Sequence, residues 1–388
     1  MNDSVYDYIV IGGGIAGLYA NYKLSAKYNG LLLEKNNFFG GRALEINFHG
    51  TQIKAGAGIM IQSNYHLIKL LKALNIKPVT FDSFTDTYKI NTTDFNMGNA
   101  ICDITHKYKE EKENVIKAKL NMKEFLLKYF GASFTNQFIL NCEYHDFVKS
   151  DVEYFIKYYN INDMSHEKSK LLSIQWTDLV NKLVKKNCLH NANVISITKT
   201  DDMFSIKTDV NYYLSKKVIF ATTLKPLVKL SKHITDINYN EHLGAVHFAR
   251  IYCYYKNGYK SDLTHYTIVN NKLQKIININ DNVLMVAYCD GNNALFWKKV
   301  KELKKKAQIE AVSNYLEELN ISGVINDIVI FYWDEGVHYY KPTTDLEKTI
   351  NLVSNPAPNV YAVGDMVSYK QGWVEGCIES VNRTLNHV

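Results

Sequence analysis

The glycine pattern near the start of this chain constrains its fold more than any other feature. Gly12-x-Gly14-x-x-Gly17 follows an apolar stretch, residues 7–11, and opens a helix expected over residues 15–27. In such a strand–turn–helix, Gly12 permits the tight turn, Gly14 lets backbone approach a pyrophosphate, and Gly17 lets helix and strand pack closely. Ile15 and Ala16 begin the helix, so its free N–H groups and dipole face the phosphates. A second strand over 31–34 completes a βαβ unit and ends in Glu34, with Lys35 beside it. The Glu34 carboxylate is placed to accept from both ribose hydroxyls and disfavours a 2′-phosphate. A purely structural turn accounts for the glycines but not for Glu34.

Later residues choose between NAD and FAD. Gly40-Gly41-Arg42 allows a second close approach to phosphate and supplies a guanidinium partner. Ala55-Gly56-Ala57-Gly58-Ile59 is a run of small residues against which a flat ring can lie. Residues 360–365 read as a buried strand ending in Gly364-Asp365, an acid suited to ribityl hydroxyls. Gly372-Trp373-Val374 then opens a last helix over 374–386, whose N-terminus suits negative charge at the pyrimidine edge of a reduced flavin.

Between these ends the pattern is less specific. Helical spacing follows Ser63, read as a cap, and stops before Pro78; residues 107–170 read as mostly helical, and Thr177 as the cap of another helix. Strand patterns fill 192–221 and 244–289, a single basic helix is expected over 296–319, and another strand over 329–333.

Composition removes several classes. At 388 residues, two domains are expected; with 46% hydrophobic and 22% charged residues, a soluble globular chain follows. No apolar run reaches membrane-spanning length, and Met1–Asp7 has no basic stretch, so neither a membrane span nor a cleaved leader is expected. The net charge of +6 is mixed along the chain and does not imply nucleic-acid binding. Six cysteines without CxxC spacing exclude a zinc ribbon and suit a reducing cytoplasm; no metal is expected. The Tyr, Asn and Lys bias is that of an AT-rich genome, such as a large DNA virus or a protist.

On these motifs the chain resembles the flavin-containing amine oxidase superfamily, with monoamine and polyamine oxidases as main members and protoporphyrinogen oxidases and phytoene desaturases as distant relatives. The similarity is strong over 5–60 and 358–386. In the middle, Val194 opens a strand like the one whose backbone meets the adenine, and Ala221 closes a strand like the one before the domain crossover. The resemblance implies an α/β fold, with a Rossmann-type FAD-binding domain (1–78, 171–235, 342–388) interleaved with an α+β substrate domain (79–170, 236–341). It implies hydride transfer from a small amine or related substrate to flavin N5, with oxygen or another acceptor taking the electrons, in a monomer or homodimer. Two departures matter. The family's lysine near the flavin is replaced by Arg250, with Lys256 or Lys275 as substitutes in a shifted register and an ordinary strand arginine as the plain alternative. The stretch from Trp333 to Pro342 lacks the flavin-linking cysteine of monoamine oxidases, which implies noncovalent FAD. Tyr339 or Tyr340 is expected to face Trp373 across the substrate slot, and His338 is a candidate base or a satisfied strand-end residue. A desaturase- or mutase-like enzyme on a non-amine substrate, and a non-catalytic flavin-binding protein, are the competing readings.

Overall fold

The computed structural model describes residues 5–82, 87–89, 95–142, 144–159, 170–263 and 266–386. Residues 1–4, within the stretch where no cleaved leader is expected, and residues 160–169 of the expected helical region lie outside these.

Five short strands form a parallel sheet in the order Cys188–Leu189, Gly30–Leu33, Tyr8–Ile11, Val218–Phe220, Val360–Ala362. Its inner strands are buried at every position, which is why they read as continuous apolar runs: a parallel sheet is covered on both faces. Alternate residues divide between two cores. Tyr8 and Val10 pack with the helices Ile15–Leu24, Tyr65–Ala73 and Val374–Thr384. Ile9 and Ile11 pack toward a four-stranded sheet that contains Val194–Thr200 and toward the helix Leu224–Ser231.

A second, six-stranded sheet runs Asp327–Tyr340, Leu243–Tyr254, Val283–Asp290, Lys275–Asn280, Tyr266–Ile268, Thr87–Lys89; every pair is antiparallel except the last. The strand Leu243–Tyr254 shows how the sheet separates core from cavity. Ala249, Ile251 and Cys253 enter a core with Trp297, while Phe248, Arg250 and Tyr252 line a cavity. That alternation is the two-residue period of a strand. The helices Met97–Ala118 and Met122–Asn141 build a further aromatic-rich core.

Several local expectations need correction. The helix after Ser63 starts at Tyr65 with Asn64 as N-cap, and its free His66 and Leu67 N–H groups donate to the Glu375 carboxylate at 2.9 and 2.8 Å. Thr177 is not a cap: the helix Trp176–Leu183 begins one residue earlier, and Thr177 donates its N–H and hydroxyl to Glu45. The basic helix is two helices, Gly291–Lys301 and Lys305–Glu317. The lysines crowding the junction repel one another in a continuous helix. The Gln308 amide donates to the Lys301 and Leu303 carbonyls freed at the break.

Candidate active site

The parallel sheet ends in the glycine turn. Gly12 has φ +109°, a conformation that L side chains rarely adopt, and a Cβ there would lie 2.5 Å from the Ala221 carbonyl oxygen. A Cβ on Gly17 would overlap the Gly12 carbonyl, whereas one on Gly14 would meet nothing within 4 Å. Gly12 and Gly17 are therefore fixed by packing; Gly14 faces open space at the mouth of a helix. Glu34 is held beside the turn by the Gly13 N–H at 2.6 Å and the Asn36 N–H at 2.8 Å, one on each carboxylate oxygen. The backbone thus orients the carboxylate that the sequence assigned to ribose.

These elements open into a cavity of about 1440 Å³. Ordinary ligand pockets hold roughly 300–1,000 Å³, so there is room for a dinucleotide-sized group together with a smaller molecule. The cavity brings together Gly12, Gly14, Ile15, Ala16, Glu34 and Lys35 from the first βαβ unit, and Gly41, Arg42, Gly56, Ala57, Gly58 and Ile59 from the following turns. Val194 and Ala221 join from the middle, Arg250 from the antiparallel sheet, and Gly364, Asp365, Trp373 and Val374 from the C-terminal end. Gly17 supports from behind.

His338, Tyr339 and Tyr340 do not line the cavity, which corrects the expected aromatic slot. Tyr339 packs against Gly244, Tyr340 is buried in the core around the parallel sheet, and the stretch of their strand that lines the cavity is Tyr332 to Val337. His338 is 2% exposed and bonds through Nδ1 to Asp365 at 3.1 Å. It lies behind Asp365, away from the cavity.

Asp365 is the electrostatic centre of the C-terminal contribution. Arg42 grips it with both Nη atoms, and Nη1 also donates to the Gly336 carbonyl at 2.6 Å. Burial alone would raise the Asp365 pKa, but Arg42 and His338 outweigh it and hold the carboxyl well below the usual range.

The segment from Lys54 to Gly58 is fixed by donors from several elements. Tyr252 OH reaches the Lys54 carbonyl at 2.8 Å, Trp333 Nε1 the Ala55 carbonyl at 2.9 Å, and Trp176 Nε1 the Ala57 carbonyl at 3.0 Å. A Cβ on Gly58 would come within 2.8 Å of Arg250 Nη2, so the guanidinium lies close against this small residue.

Sequence reasoning missed part of the wall. Lys54 is half-buried with its ammonium bonded to the Gly58 carbonyl and Ser173 hydroxyl, and desolvation lowers its pKa to about 8. Asp146 and Asp290 also line the cavity; burial, then the Asp290 charge, pushes the Asp146 carboxyl up to about 7. Alternation along Thr51–Lys54 offered a weak signal for Lys54; Asp146 sits in a 3₁₀ turn with none. Of the substitutes considered for Arg250, Lys256 is exposed beyond the strand end, and Lys275 is buried over the Tyr144 ring at 3.0 Å. Among the described residues no helix is long and apolar enough to cross a membrane.

Comparison with known proteins agrees with this architecture. A family model described as an NAD(P)-binding Rossmann-like domain matches residues 10–74. An uncharacterised protein of Acanthamoeba polyphaga mimivirus is 30% identical over 126 residues, 26% of this chain and 24% of that protein. The chain thus spans about a quarter of the length of the curated relative it matches. Among solved structures, putrescine oxidase bound to putrescine is 13% identical with a TM-score of 0.74, covering 98% of both chains. Cyclohexylamine oxidase from Brevibacterium oxydans IH-35A is 14% identical with a TM-score of 0.75, again over 98% of both chains. At these identities the likeness is one of fold: the chain has the mixed α/β architecture of these oxidases, with a Rossmann-like dinucleotide-binding portion.

Proposed function

We propose that this chain is an FAD-dependent oxidoreductase of the amine oxidase type, acting on a small molecule. The observation that carries this reading is the convergence of the glycine turn, Glu34, Arg42 and the Gly364–Val374 end on one cavity, with Gly14 facing open space. These residues fit FAD: helix N–H groups at Ile15 and Ala16 for phosphate, Glu34 for ribose, and the N-terminus of Val374–Thr384 for the pyrimidine edge. Arg42 holds Asp365 ionised and oriented, leaving its remaining lone pairs to accept hydroxyls. Bound FAD would supply the hydride acceptor and pass electrons to oxygen or another acceptor.

Noncovalent attachment is the supported mode. Cys377 lines the cavity, but burial, then the nearby Asp365 charge, pushes its thiol up to about 12, so it is a poor nucleophile. In the proposed division, residues 1–78, 171–235 and 342–388 bind the cofactor, and 79–170 and 236–341 receive substrate. Trp373, Trp333 and Tyr288 supply aromatic walls for it.

Arg250 favours a second reading, an enzyme of the same fold on a non-amine substrate, because a permanent cation on the wall opposes a protonated amine. Anaerobic titration with primary amines and amino acids separates the two. Bleaching of the flavin band by an amine-bearing compound supports the oxidase; a band that dithionite bleaches and none of these compounds does overturns it.

A further inference from the structure

Among the described residues, one buried cation on the cavity wall has no anion. Arg250 projects from the strand Leu243–Tyr254, is 5% exposed, and lines the cavity. Its Nη1 donates to the Lys54 carbonyl at a long 3.4 Å, and its Nε is buried with no hydrogen-bond partner. Its other neighbours are aromatic: Cζ lies 4.6 Å from the Tyr288 ring centroid and 5.7 Å from that of Phe248, with the Tyr252 and Tyr288 phenols as polar contacts. Among the described residues no carboxylate lies within salt-bridge distance of it.

Two neighbouring cations, the half-buried Lys54 and the buried Lys275, are answered. Lys54 has Glu45 at 4.0 Å, besides its carbonyl and hydroxyl acceptors. Lys275 acts on the Asp146 carboxyl, which also neighbours Asp290. A guanidinium taken out of water is costly unless an anion meets it. Arginine also presents parallel donors that match a carboxylate, where lysine offers a point charge.

We infer that the substrate supplies the missing anion: it carries a carboxylate, and Arg250 binds it. The word substrate rests on the oxidoreductase reading; the anion site is defined by this chain's residues alone. Tyr288, Phe248 and Trp333 offer apolar surface for the body of such a molecule, so an amino acid or other amine-bearing acid suits the wall better than a simple amine.

The probes are 3-phenylpropionate and 3-phenylpropylamine, which share a body and differ in the charge of one end. With purified FAD-loaded protein, the acid should bind, read as a shift of the flavin band and a rise in Tm, and the amine should bind about tenfold more weakly or worse. Arg250→Gln should weaken the acid about 10–100-fold at unchanged flavin content, and Arg250→Lys, which keeps the buried charge if the glutamine variant fails to fold, by less. Tighter binding of the amine, or acid affinity indifferent to both variants, overturns the inference. So does a change confined to the flavin potential, which would assign the guanidinium to the reduced cofactor. If the protein stays colourless with FAD offered, the oxidoreductase reading fails and the Tm arm decides. Arg250-dependent stabilisation by the acid then upholds the carboxylate site, and its absence refutes it.

Discussion

Gly14 and Gly17 stand three residues apart, yet their surroundings make opposite demands. A side chain at Gly17 would overlap the Gly12 carbonyl, so Gly17→Val should destabilise the fold by several kcal/mol or prevent folding, as measured by soluble yield and denaturant midpoint. A side chain at Gly14 meets no protein atom within 4 Å, so Gly14→Val should leave Tm nearly unchanged while lowering FAD affinity by tenfold or more, roughly. Equal loss of stability in both variants would contradict the reading. Asp146 offers a pH test at the same scale. Its folded pKa is raised to about 7, so its contribution to stability is fully present below about pH 4 and is lost as pH rises through about 7. Asp146→Asn should flatten that decline, on the order of 2–4 kcal/mol between pH 4 and 7, in urea midpoints across pH.

Among the elements, the helix Tyr65–Ala73 borrows its N-terminal acceptor from the far end of the chain. Glu375 receives the His66 and Leu67 N–H groups while sitting in the first turn of Val374–Thr384. Glu375→Ala should cost about 1–2 kcal/mol in chemical denaturation, because both donors lose their acceptor at a buried position. The glycine turn and the apolar strands were legible because their constraints act over a few residues. The caps were misread at Ser63 and Thr177 because local chemistry was outbid by Glu375 and Glu45, distant in sequence. The contact of Arg250 with Tyr288 follows from strand pairing, and that of Lys275 with Tyr144 from a non-strand segment laid against the sheet; no local spacing reveals either. His338 turns from the cavity because a strand's face is set by its register and Val337 takes the cavity side, whereas Tyr339 shares the face of Val337 but packs over Gly244, beyond the cavity.

Across the whole molecule, the two ends of the chain meet through one sheet and one ion pair. Val218–Phe220 pairs with Tyr8–Ile11 on one side and Val360–Ala362 on the other, while Arg42 clasps Asp365 with His338 behind it. Asp365→Asn leaves both partners without their counter-charge, and about 2–4 kcal/mol of stability should be lost at neutral pH. Because the folded carboxyl pKa is depressed, that contribution is present above the ordinary carboxylate range and fades as pH falls through the folded value. The wild type and variant should therefore converge in acid. The account depends on these ends enclosing FAD. Its most direct test is the visible absorption spectrum of the purified protein, recorded before and after acid precipitation. A flavin band that moves wholly into the supernatant is the predicted result. A colourless protein that takes up no FAD when it is offered in excess would contradict it, and colour retained in the pellet would contradict noncovalent attachment.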